Sequence, residues 1–209
     1  ERQAQIGNGA TLDFSDVGIV PLDARATGRA NPTVEGRTVT NLITISNLPS
    51  TGTRNGVLVT NNNDGSLTLN GTATAVIWLN VSNGVAYQDY PLTDVFYLAG
   101  CPIGGADNTY KLYNGSEGFD DFGDGFVGSP SGYGDILIRI HSGYTCNNLV
   151  FWPRLINLTS IFGVGNEPNL ETCQKLFSNY FDGTKSISMP ARLRSVGRNL
   201  TDIRSKAAL

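Results

Sequence analysis

Ionisable side chains are scarce in this chain. Asp, Glu, Lys and Arg make up only 16% of 209 residues, and there is a single histidine, His141. Soluble proteins ordinarily carry about a quarter charged residues. The shortage removes most acid–base chemistry at the outset. His141 has no nucleophile partner in the sequence: no G-x-S-x-G surrounds a serine, and no Cys–His signature appears. Glu117, Asp120, Asp121, Asp124 and Asp135 are the carboxylates that a glycoside hydrolase would need, and nothing in their spacing singles out a pair. The sequence reads as non-enzymatic.

Clustered basic residues are missing too. The formal net charge is −3, and a nucleic-acid partner needs grouped Lys and Arg against its phosphates. No apolar run approaches the roughly 18 residues of a membrane span. The three cysteines, Cys101, Cys146 and Cys173, have no metal-ligand spacing. Cys101 and Cys146 could pair on neighbouring strands, but buried apolar thiols are the favoured reading. No cofactor is expected. No signal peptide is visible, and the chain opens on Glu1 instead of Met, which points to a processed or excised segment.

Glycine, asparagine, threonine and serine are plentiful, and with 40% hydrophobic residues they give the profile of many short strands joined by tight turns. The strand candidates are 38–46, 56–60, 66–70, 73–82, 93–100, 109–113, 135–141 and 148–156. This is the strand count of a β-sandwich or jelly roll. Period-two alternation sends Ile77, Leu79 and Val81 inward, and Trp78 and Asn80 outward. The same rule buries Ile136, Ile138 and Ile140 and turns Leu137, Arg139 and His141 out.

The chain divides into an extended N-terminal arm (1–36), the jelly-roll sandwich (37–157), a Gly-rich connector with one short helix (158–183), and a C-terminal strand and tail (184–209). Asn169 is the predicted cap of that helix. Leu170, Cys173, Leu176 and Phe177 recur at helical spacing, and Asp182-Gly183 should end it. The arms gain order by docking on a neighbour.

Two acidic or amide-rich stretches invite a metal reading. Asn61 to Ser66 has oxygens at Asn62, Asp64 and Ser66 but lacks the glutamate of an EF-hand, so a hairpin turn explains it better. Asp120, Asp121 and Asp124 are the remaining calcium candidates, against a solvated loop with Asx turns. Binding has more support. Trp78, Trp152, Tyr87 and Tyr90, with Arg139 and His141, suit stacking on a sugar ring beside hydrogen bonds to its hydroxyls. The same residues would suit a subunit contact.

Four stretches together carry a family resemblance. "NNNDGSLTLNGTATA" (61–75) resembles the NDDGS-x-T-V-NGTAT hairpin of structural and tail-associated bacteriophage and prophage proteins, especially those of Gram-positive hosts. "YLAGCPIGG" (97–105) is similar to their SGCPSGG strand end. Residues 147–177 resemble NLTFKPMLxxLTxMFGxGNEP, and 180–200 resemble YFDG…SVGKNL. The likeness spans about residues 36–200, with the motifs in the expected order. The chain departs from the pattern at Trp152, where the motif has lysine, and at Arg154, where it has methionine.

The resemblance implies a jelly-roll domain like a carbohydrate-binding module, in a virion protein of a tail, fibre or adhesion assembly. Its partners would be copies of itself, other virion proteins and a host-cell glycan, with no nucleic acid and no membrane. The phrases GRTVTNL (36–42) and GRNLTDI (197–203) look related, as if modules were chained. The competing expectation is a purely structural role in capsid decoration or tail scaffolding, exerted through the arms. A polysaccharide-degrading enzyme is a more distant one. No catalytic residue carries over.

Overall fold

The computed structural model describes residues 11–13, 37–82, 89–115, 118–187 and 194–196. These residues are mostly β. The first strands are β1 (Thr11–Asp13), β2 (Arg37–Thr40), β3 (Gly52–Arg54), β4 (Val57–Asn61), β5 (Leu67–Thr72) and β6 (Ile77–Asn80). Next come β7 (Phe96–Ala99), β8 (Tyr110–Asn114), β9 (Asp120–Asp121), β10 (Phe126–Gly128), β11 (Ile136–Ile140), β12 (Thr145–Phe151) and β13 (Arg154–Asn157). Two short helices follow, α1 (Leu158–Phe162) and α2 (Leu170–Leu176), then β14 (Thr184–Ile187) and β15 (Arg194–Val196).

Two compact units are present. One is Thr38–Lys185, so the connector and helices belong with the sheets; the other joins residues 1–37 to 186–209. In the smaller unit β1 pairs antiparallel with β15, Thr11 opposite Val196. Apart from Thr11–Asp13, the predicted arm lies outside the described residues.

The larger unit contains sheets ordered β12-β5-β4-β3, β6-β11-β8-β9 and β10-β7-β13. Alternation explains how they share one core. Val57 and Val59 of β4, Leu67 and Leu69 of β5, Ile77 and Leu79 of β6, and all three isoleucines of β11 are buried. They join Phe96, Leu98, Leu112, Phe151 and Leu155 in a single hydrophobic cluster. Burying such a side chain contributes about 1.5–3 kcal/mol relative to leaving it in water.

Strand β7 departs from alternation: Phe96, Tyr97, Leu98 and Ala99 are all buried. Phe96 and Leu98 face the common core, while Tyr97 and its register partner Ile156 lie on the other side of the sheet. There the Phe177 ring, just after α2, stands 5.8 Å from that of Tyr97. The helix is thus a lid on the second face of this sheet. Its cap is the predicted one, with the Asn169 side chain accepting from the Thr172 N–H. It ends at Leu176, earlier than the Asp182-Gly183 signal.

Other boundaries differ from the sequence reading. The candidate strand 148–156 is two strands in two sheets: β12 pairs with β5, and β13 with β7. Pro153 lies at the break, where it has no N–H to give a ladder. Gly100 makes the crossing possible, because a Cβ there would sit 1.8 Å from the Trp152 carbonyl oxygen. The candidate strand 38–46 stops at Thr40, since Ile45–Asn47 forms a single 3-10 turn. Short β3, β9 and β10 were not anticipated, having too few residues to show a period.

Asn41 ties the segment to distant parts of the chain. Its Oδ1 accepts from the N–H groups of Ile43 and Leu155, at 3.1 and 3.0 Å, and its Nδ2 donates to the Phe181 carbonyl at 3.0 Å. All three cysteines are buried and free. Burial pushes the Cys146 thiol up to about 11 and that of Cys173 up to about 12.

Candidate functional site

The outward face of the β6-β11-β8-β9 sheet collects the aromatic and charged residues that the sheet cannot bury. Register places Trp78, Arg139 and Lys111 in one cross-strand row, and Asn80, Leu137, Tyr113 and Asp120 in the next. Trp78 is 59% exposed. A large indole left in water beside a guanidinium is the unusual feature, because neither side chain is needed for the core beneath.

Lys111 organises the other side of the face. Its Nζ lies 2.8 Å from Asp107 and 2.7 Å from Asp120, and it stands over the Tyr113 and Phe122 rings at 4.8 and 5.6 Å. Burial works to lower the Lys111 ammonium, but its bonds to the two carboxylates outweigh this and hold it above the ordinary lysine value. Asp107 is lowered by its bond to Lys111 and by the lysine charge. The result is a fixed cation flanked by acceptors and aromatic rings.

The remaining candidates are dispersed. His141 follows β11; its Nδ1 lies 2.9 Å from the Ser142 carbonyl, which can only accept, so this nitrogen carries the proton. Tyr90 is not a free platform: its ring packs edge-on against Phe96 at 6.0 Å, and its carbonyl accepts from the Tyr133 hydroxyl. Tyr87 lies outside the described residues. Trp152 belongs to a separate cleft.

That cleft, of about 530 Å³, is where the resembling stretches converge. Asp64 comes from the first hairpin, residues 100–103 from the second motif, Trp152 and Arg154 from the third, and residues 178–180 lead into the fourth. The hairpin reading of 61–66 is correct: β4 and β5 pair with Asn61 opposite Leu67. Asp64 Oδ1 accepts from both the N–H and the hydroxyl of Ser66, at 2.9 and 2.6 Å, so it closes a turn. Those bonds hold its carboxyl below the usual range, the one from the Ser66 hydroxyl most strongly. The hairpin tip backs onto Tyr180, whose ring stands 5.7 Å from that of Trp152. Burial pushes the Tyr180 hydroxyl up, and Asp182 adds to this.

The acidic loop does not gather its carboxylates. Asp121 is fully buried, and its oxygens accept from the N–H groups of Cys101, Gly123 and Gly125 at 2.8, 2.7 and 2.8 Å. Burial raises the Asp121 carboxyl, and these donors pull against it. Asp120 faces Lys111 instead. No group of three or more His, Cys, Asp or Glu among the described residues is arranged to hold a metal ion. Of the calcium candidates Asp120, Asp121 and Asp124, Asp121 is thus engaged by backbone N–H groups and Asp120 by the Lys111 ammonium.

Sequence reasoning overlooked Lys111 and Tyr113, although alternation in Tyr110–Asn114 would have turned both outward. It noticed Arg154 only as a departure from the motif, and Tyr180 only as part of one. Nothing local marks either as facing Trp152.

Fold and surface together define an all-β protein that displays a mixed aromatic and charged sheet face. No family model, curated protein or solved structure matches the chain.

Proposed function

We propose that this chain is a bacteriophage-type virion protein of a tail, fibre or adhesion assembly, with a non-catalytic jelly-roll sandwich that presents a surface to host-cell glycans. The observation that carries the reading is the exposed Trp78 indole, set by register in one cross-strand row with half-buried Arg139 and buried Lys111. An indole face stacks on the apolar side of a sugar ring, while Arg139 donates to hydroxyls and the carboxylates around Lys111 accept from them. The sheet backbone beneath holds these groups in fixed positions, which reduces the entropy lost on binding. The four motif stretches support the phage context, and antiparallel sheets that share one core are compatible with a jelly roll.

Trp78→Ala should weaken binding to isolated Gram-positive cell walls by about tenfold or more, as truncation of a central aromatic does at other interfaces. The fold should be unaffected, because the indole lies outside the core. Unchanged binding would refute glycan attachment through this face and favour the structural reading, in which the terminal segments make the assembly contacts.

A further inference from the structure

The Trp152 cleft has a chemistry of its own. Phe151, Pro153 and Leu155 are buried, whereas Trp152 and Arg154 between them reach the cleft. The sequence departs at both from the motif it resembles, and both line the cleft. Arg154 is held in place without a direct ion pair, although the buried Asp121 carboxylate is near enough to favour its charge against the cost of burial. Its Nη1 donates to the Phe177 carbonyl at 2.7 Å, while its buried Nε has no partner. No carboxylate lies within ion-pair distance of it among the described residues. A half-buried guanidinium with unused donors costs stability unless something pairs with it.

The other walls are two aromatic rings, Trp152 and Tyr180, and the Asp64 carboxylate, whose Oδ1 is already committed to Ser66. The volume falls within the range of small-molecule sites, roughly 300–1,000 Å³. We infer that this cleft binds a single negatively charged sugar unit, its anion on the Arg154 guanidinium and its ring against Trp152. A carboxylate or a phosphate would serve, since each accepts a charge-assisted hydrogen bond from a guanidinium N–H. Asp64 remains available to accept from a sugar hydroxyl. The inference extends the glycan-presenting reading to a second site, and its test separates the two.

The chain has two tryptophans, so the indole N–H resonances of 15N-labelled protein report each site independently, once assigned with Trp78→Phe and Trp152→Phe. Titration with glucuronate or glucose 6-phosphate should shift the Trp152 resonance saturably, and glucose should not. Arg154→Gln should weaken that response by about tenfold or more, and Arg154→Lys, which keeps the charge but not the guanidinium, by less. A Trp152 resonance unmoved by both anionic sugars, or moved equally by glucose, would overturn the inference. So would an Arg154→Gln protein with dispersed, folded spectra and undiminished response. If Arg154→Gln does not fold, Arg154→Lys and the glucose comparison still decide. Failure here leaves the Trp78 face untouched, because that face is read from the other resonance and from cell-wall binding.

Discussion

Replacing Gly65 with alanine probes the contact that joins the first hairpin to the cleft. Gly65 has φ +96°, and a Cβ there would stand 1.9 Å from Tyr180 Cε1 and 2.1 Å from Cζ. Two separable penalties follow. An L-residue in left-handed backbone costs about 1–2 kcal/mol. The second penalty is steric: the Tyr180 ring must leave its place, giving up its pairing with Trp152, about 0.5–1.5 kcal/mol, and part of its buried area, about 1–2 kcal/mol. Gly65→Ala should therefore destabilise the protein by about 3–5 kcal/mol. In a Tyr180→Ala background only the backbone penalty, about 1–2 kcal/mol, should remain. Urea unfolding of the four proteins measures this directly, as a lower midpoint at unchanged slope. Equal costs in both backgrounds would refute the packing of the hairpin tip on Tyr180. A cost below about 1 kcal/mol in the parent would also refute the left-handed turn.

Two other perturbations probe polar contacts that organise the loops. Asp121→Asn keeps the shape of the buried carboxylate but points an amide N–H at backbone donors, so stability should fall by about 3 kcal/mol or more in urea unfolding; a change under about 1 kcal/mol would mean that the loop does not depend on those bonds. Glu167 accepts from the Thr159 hydroxyl at 2.7 Å and the Gly165 N–H at 2.8 Å, and the first of these leads in holding its carboxyl below the ordinary glutamate value. With the folded value below the unfolded one, this contribution is present above the unfolded pKa and is lost as pH falls through the folded one. Glu167→Gln should thus be less stable than the parent at neutral pH, by about 0.5–1 kcal/mol for these part-exposed bonds, and the gap should close in acid. A gap that persists or widens in acid thermal melts would contradict this.

Local chemistry determined much of this protein. Side chains alternate with period two along any strand, so Ile77, Leu79 and the three isoleucines of β11 could be assigned to the core, and Trp78 and Arg139 to the surface, from the sequence alone. Asp64-Gly65 signalled a turn because the turn needs that backbone, and Asn169 signalled a cap because its side chain completes a helix end. The resembling motifs did not show what they build together.

Only the tertiary structure decided which strands share a sheet. It set Arg139 between Trp78 and Lys111, split 148–156 between two sheets, and separated Trp152 from Trp78. It also turned the acidic loop inward, where backbone N–H groups claim Asp121. The cleft needs Gly65 against Tyr180 and Gly100 under Trp152, contacts between segments far apart in the chain. Periodicity within a segment reports which way a side chain points, whereas its neighbour across space depends on pairing and packing of the whole chain, which no single stretch encodes.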